Sequence, residues 1–264
     1  MRGYGAERSG QIEYRFNAHG YRGEELDPAA RRRIVVCGCS HTLGVGVAEE
    51  DAWPARLRAR YAEHAGLRSS EVNLVNLAQG AASNDYVART MLAQLPRVRA
   101  DLAVVLFTNR GRAERWDGDA VFGLGPWTLE ALCANPELSE TRPILRAAQH
   151  HYALTSDAQE RLDTLKNMLL VQLLCRAQGV PALTAWIEHA SLDAPEMRAS
   201  PLLAPLVDAL DRSRVCDVSP LDDDVLVDRA ADGSHAGPRS HALFAERLFE
   251  RVLALEPAPD RLAA

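Results

Sequence analysis

The sequence predicts an α/β domain organised on a five-stranded parallel sheet. Three observations point there. The runs over residues 33 to 39 and 101 to 107 are apolar without alternation from Ile34 and Leu102 onward, as expected of strands covered on both faces. Segments of helical period lie between the apolar runs, giving a β-α-β-α-β rhythm that implies right-handed crossovers. The first three runs also end in polar or glycine-containing tips: Gly38-Cys39-Ser40, Gln79-Gly80 and Thr108-Asn109. The expected strand order is 2-1-3-4-5, all parallel, in a single domain over residues 1–264.

In chain order, residues 1 to 30 are polar and rich in Gly and Arg. They read as an ordered arm against the domain, with Asp27-Pro28 opening a turn. The first strand follows. Glu49-Glu50-Asp51 then opens a helix, its acids placed where the helix dipole favours them, with Trp53-Pro54 in the first turn and Gly66 past the end. Residues 72 to 78 form the second strand. Ser83 is an N-cap for a helix carrying Tyr86, Val87, Thr90, Met91 and Leu95, which Pro96 is expected to close. Residues 101 to 109 form the third strand.

Residues 110 to 155 break the rhythm with Trp116, Trp127, several glycines and His150-His151. A long segment after a strand's carboxyl end is often a functional loop. It is expected to hold one or two short helices and to wall a pocket at that edge. A long helix over 157 to 178 stops at Gly179. A strand over 180 to 187, a helix over 202 to 210 and a short strand over 215 to 218 come next. The last helix starts after Pro238 and runs to about Glu256, with Phe244, Leu248, Phe249 and Val252 on one face.

Composition excludes some functions. The net charge is -6, and the arginines are interspersed with acids, so no basic face for nucleic acid is expected. Met1-Arg2-Gly3-Tyr4-Gly5 lacks an apolar signal core and no stretch is long enough to span a bilayer, so a cytoplasmic protein is expected. The five cysteines, Cys37, Cys39, Cys133, Cys175 and Cys216, are odd in number and several sit in apolar runs; buried free thiols follow. Cys37-Gly38-Cys39 does not have redox spacing, and His150-His151 lacks ligand partners, so neither metal nor cofactor is expected.

Chemistry is concentrated at the strand ends. Ser40 follows the first strand on a tight turn, a position from which a nucleophile faces the ligand-binding edge of a parallel sheet. Asp232 and His235, three residues apart on a turn before the last helix, suit an orienting acid and a general base. Oxyanion donors are available in the N–H of Ser40, the N–H of Gly80 and the amide of Asn109. Arg110, Arg112 and Arg115 follow the third strand and offer charge for an anionic group. Gly38, Gly44 and Gly46 do not form Gly-x-Gly-x-x-Gly, and Thr42 breaks the nucleophile-elbow pattern, which disfavours dinucleotide binding and an α/β-hydrolase.

The chain resembles the SGNH (GDSL-like) hydrolases. Their Gly-Asp-Ser block is matched by Gly38-Cys39-Ser40 with Gly44 downstream, their second-block glycine by Gly80, their third-block asparagine by Asn109 and their Asp-x-x-His by Asp232 and His235. The arm with Asn17, Gly20, Arg22, Gly23 and Glu24 is similar to a lead-in of some bacterial members. Cys39, Phe107 and Arg110 depart from the family pattern. The resemblance implies a three-layer, flavodoxin-like α/β/α fold and hydrolysis or transfer of acyl groups. The expected function is that of a serine ester hydrolase on a small acylated molecule or sugar, with Ser40, His235 and Asp232 as triad and Ser40, Gly80 and Asn109 as oxyanion hole. An O-acyltransferase with the same residues and a non-hydrolytic binding protein on the same fold are the alternatives.

Overall fold

A computed structural model describes residues 12–135, 137, 140, 142–188 and 192–255. The glycine-rich start of the arm and position 256 lie outside the described residues. The sheet contains β1 (Arg32–Cys37), β2 (Val72–Asn76), β3 (Leu102–Phe107), β6 (Ala182–Trp186) and β7 (Val215–Cys216). Its order is β2-β1-β3-β6-β7 and every pairing is parallel. Counted along the sheet's own strands, this is the expected 2-1-3-4-5. β4 (Ala113–Asp117) and β5 (Ala120–Leu124) form a separate antiparallel hairpin.

The sheet is covered on both faces, which accounts for the unbroken apolar runs. α2 (Trp53–His64) packs with α9 (Pro238–Leu255), and α3 (Asn84–Val98) packs with α6 (Asp157–Ala177). Ile34, Val104, Val105 and Leu183 are fully buried between these layers. Each such side chain contributes about 1.5–3 kcal/mol of burial. Trp53 of α2 meets Phe244 of α9 edge to face, with ring centroids 5.6 Å apart and planes at 87°, adding about 0.5–1.5 kcal/mol.

Several boundaries differ from expectation. α3 does not stop at Pro96 but continues through it to Val98, where Arg99 adopts a left-handed conformation (φ 54°). Glu49–Asp51 form a separate 3-10 turn, and α2 starts anew at Trp53 with Pro54 in its first turn. Ser83 caps α3 as expected, accepting from Tyr86 N at 3.1 Å. A one-turn helix, α1 (Ser40–Leu43), starts at Ser40, where the sequence suggested only a turn. The segment after β3 holds α4 (Pro126–Ala134) and α5 (Pro143–Leu154) and also the hairpin, which the irregular mix of aromatic and glycine residues concealed. Short α7 (Pro195–Ala199) and α8 (Ala204–Ala209) precede β7.

The arm is stitched to the edge strand β2 and to the loop after β1. Asn73 Nδ2 donates to Glu25 O (3.0 Å), and Asn73 Oδ1 accepts from Asp27 N (3.0 Å). Arg22, only 2% exposed, donates to Leu43 O (2.9 Å), Gly44 O (2.5 Å) and Val47 O (2.9 Å). Its guanidinium also lies 4.4 Å from the centroid of the Tyr14 ring. Three backbone carbonyls thus accept from one buried cation, two of them, Leu43 O and Val47 O, with no backbone donor beside it among the described residues. Arg22→Ala is expected to cost about 3 kcal/mol or more, since bonds to a charged donor are worth roughly 1.5–3 kcal/mol and the orphaned carbonyls add desolvation. Urea unfolding should read this as a lower midpoint, and an unchanged midpoint would refute it.

Candidate active site

The turn after β1 is held by close packing. A Cβ at Gly38 would stand 2.3 Å from Thr42 Oγ1 and 2.8 Å from Leu106 O, so only glycine fits between α1 and β3. The turn is tied to its other neighbour by Gln79 N to Gly38 O (3.2 Å) and Asn76 Nδ2 to Thr42 O (3.1 Å). Ser40 is the first residue of α1, so its N–H has no intrahelical acceptor. The residue is 7% exposed. The Ser40 hydroxyl lies 4.0 Å from Cys39 Sγ. It makes no hydrogen bond to His235 here; such bonds often tighten only once substrate is bound.

Asp232 and His235 sit on a loop fixed from its base. Asp228 accepts from Arg239 N (3.0 Å) and Ser240 N (2.8 Å), capping α9. Arg229 and Ala236 form an antiparallel bridge, and Gly233 turns the tip with φ 71°. Asp232 Oδ1 accepts from Ser234 N and His235 N, each at 3.0 Å, while Oδ2 meets His235 Nδ1 at 2.5 Å. Burial opposes the charge on Asp232, yet the N–H groups of His235 and Ser234 and the imidazole outweigh it and hold the carboxyl at about 2. The acid is therefore ionised at neutral pH, with one oxygen fixed by backbone and the other by the ring.

The two loops touch. Ala231 N donates to Gly46 O (3.2 Å), and a Cβ at Gly46 (φ 81°) would stand 2.7 Å from Ala230 Cβ and 3.4 Å from Asp232 Oδ1. The His41 ring, next in sequence to Ser40, lies 5.2 Å from the His235 ring. Ser40, Asp232 and His235 thus belong to one contiguous patch at the carboxyl edge of the sheet.

The donor candidates are placed differently. Gly80 lies beside α1, its added Cβ 3.9 Å from Leu43 Cδ2. Asn109 gives one amide hydrogen to Glu188 Oε1 (2.8 Å), and Glu188 Oε2 also accepts from Arg110 N (3.3 Å). Asn84, buried, braces the same strand end by accepting from Thr108 N (2.8 Å) and donating to Thr108 O (3.2 Å). The sequence reading missed Glu188, Asn84, Asp228 and the buried role of Arg22. Glu188 alone left a signal, an acid directly after an apolar strand at the ligand-binding edge.

Cys37, Cys39, Cys175 and Cys216 are buried free thiols, whereas Cys133 is free and exposed. Among the described residues no group of three or more His, Cys, Asp or Glu could hold a metal ion. No helix is long and apolar enough to cross a membrane among those residues.

No family model matches the chain, and no curated protein does. Solved structures are similar at low identity. TesA shares 16% identity over 85% of this chain and 100% of its own, with a TM-score of 0.49. The psychrotrophic esterase EstA from Pseudoalteromonas sp. shares 11% over 84% of this chain and 97% of its own, with a TM-score of 0.48. The acetyl xylan esterase AlAXEase shares 11% over 83% and 99%, with a TM-score of 0.46. At such identities the reading of the site rests on this chain's own residues.

Two histidines near the site are kept neutral. Burial, with the neighbouring imidazoles of His235 and His241 and the charge of Arg112, pushes His41 down to about 3. Burial likewise lowers His241 to about 4; its Nδ1 accepts from Trp53 N at 3.1 Å. Unfolded, both rings take up protons near pH 6.5, so the unfolded state binds more protons as pH falls below that value. Stability is therefore full above about pH 6.5 and lost toward pH 4 and then 3. Each ring is expected to remove up to about 2 kcal/mol between pH 7 and 5. Thermal unfolding should show a falling Tm over that range and a shallower slope in His241→Gln; an identical slope would refute the assignment.

Proposed function

We propose that the protein is a serine ester hydrolase of the SGNH type acting on acyl esters of a small molecule. The observation that carries this is the Asp232–His235 pair. A carboxylate locked by two backbone N–H groups holds Nδ1 of an imidazole packed against the residue next to Ser40. Such an arrangement fixes the tautomer that leaves Nε2 free to take a proton.

In the proposed reaction, Ser40 Oγ attacks the ester carbonyl and its proton passes to His235 Nε2. Asp232 stabilises the resulting imidazolium. The N–H groups of Ser40 and Gly80, with the amide hydrogen of Asn109 not given to Glu188, hold the oxyanion. Collapse expels the alcohol, protonated by His235. Water then attacks the acyl-serine, with His235 again taking the proton. Transfer to another acceptor would use the same first half-reaction. The segment over residues 110–155 is proposed as the wall of the substrate cleft. Its contacts support this: Arg112 Nη1 reaches Ala82 O (3.4 Å), and Arg89 of α3 pairs with Glu114 of β4 (2.9 Å).

A fluorophosphonate is expected to add one adduct to the protein by intact mass, absent from Ser40→Ala. Equal labelling of both would refute Ser40 as nucleophile. Asp232→Asn should lower kcat on 4-nitrophenyl acetate by about 10³–10⁴, because the tautomer is no longer held.

Asn109→Ala should lower kcat by about 10²–10³ while KM stays within a few-fold, the pattern of a donor that acts in the transition state. A near-normal kcat in that variant would leave the oxyanion to the backbone donors alone.

A further inference from the structure

Three arginines follow β3, and the structure treats them differently. Arg110 is matched by acids: Asp157 at 2.7 Å, Glu160 at 3.6 Å and Glu188 at 3.7 Å. Arg115 donates to Glu114 O (2.8 Å) and contacts His151 Nδ1 (2.6 Å). Among the described residues Arg112 has no carboxylate partner. Its Nη1 makes one long bond to Ala82 O (3.4 Å), and its Nε is buried with no partner. A partly buried cation without a counter-ion is costly, and an anion placed on the N–H groups that Ala82 O leaves unused at its guanidinium end would offset that cost.

Its position is also specific. Arg112 N closes a turn onto Asn109 O (3.2 Å), at the end of β3. Its side chain reaches Ala82, on the loop after β2 that also carries Gly80. β1, the strand that leads to Ser40, runs between β2 and β3. The guanidinium thus bridges the two loops that flank the Ser40 turn, and its charge is felt at His41. The Trp127 ring braces it, with the guanidinium carbon 5.2 Å from the centroid. That ring in turn lies flat on Gly125, where a Cβ would stand 2.3 Å from Trp127 Cη2. With an overall charge of -6, this cation is a local feature and not part of a basic surface.

We propose that Arg112, braced by Trp127, selects acyl esters that carry a carboxylate or phosphate near the scissile bond. The proposal rests on the esterase reading and deepens it. Arg112 would pair with the anion through its fork, a geometry that Lys reproduces only as a point charge.

Four esters test it: neutral 4-nitrophenyl acetate and methyl 4-acetoxybenzoate, 4-nitrophenyl hydrogen succinate with the anion on the acyl side, and 4-acetoxybenzoate with the anion on the alcohol side. At least one anionic ester is expected to be preferred over its neutral counterpart. Arg112→Gln should lower that anionic-to-neutral ratio of kcat/KM by about 10- to 100-fold, mainly through KM, with partial recovery in Arg112→Lys. Preference for neither anionic ester, or an unchanged ratio in Arg112→Gln, overturns the proposal and leaves the esterase reading intact. If no ester is turned over, the esterase reading fails. Calorimetric titration of Ser40→Ala with each anionic ester then decides, since equal affinities with and without Arg112→Gln would still overturn the role of Arg112.

Discussion

The buried guanidinium of Arg22 is the constraint on which the site depends. It gathers the carbonyls of Leu43, Gly44 and Val47, and so fixes the path of the chain just beyond Ser40. Gly46 lies inside that path. Its N–H donates to Tyr14 Oη (2.7 Å), and its carbonyl accepts from Ala231, one residue before Asp232. The arm, the Ser40 turn and the Asp232–His235 loop are therefore linked in series. Burying a charge to satisfy three carbonyls is expensive in isolation. Here it replaces the regular hydrogen bonds that a loop of this shape could not make for itself.

The site is assembled from strand ends held at fixed offsets by register. Cys37 pairs with Val105, and the contact between Gly38 and Leu106 continues that register by one residue. Phe107 pairs with Trp186, which brings Asn109 and Glu188 together just beyond the sheet. Register between parallel strands buried on both faces cannot slip without misplacing every core side chain. The same packing that stabilises the sheet thus sets the spacing of the polar tips.

Much of this was legible in the sequence because burial leaves a pattern. Four long apolar runs, the serine cap at Ser83 and the glycine stops at Gly66 and Gly179 report local requirements, and the alternation of strands and helices in a parallel sheet follows from them. The Asp232–His235 pair was legible because its partners are three residues apart. Other features were not, because their causes are distant in the chain. Pro96 is tolerated inside α3 near its end, where tertiary packing overrides local propensity. Arg22 reads as one more polar arm residue until its acceptors, 21 to 25 positions later, are known. The β4–β5 hairpin lacks clear alternation of apolar residues.

The end of β3 shows how a bulky ring and a cation are accommodated beside one another. Phe107 is fully buried, so its volume goes into the core. Arg110 is matched by acids from other elements, Asp157, Glu160 and Glu188. Glu188 also takes the Asn109 amide and the Arg110 N–H. An amide held by one hydrogen in this way loses rotational freedom, and its second hydrogen is directed by the first. Arg112 and Arg115 of the same segment have no carboxylate partner among the described residues. Three acids thus converge on Arg110 and tie the end of β3 to α6 and to the residue two positions after β6.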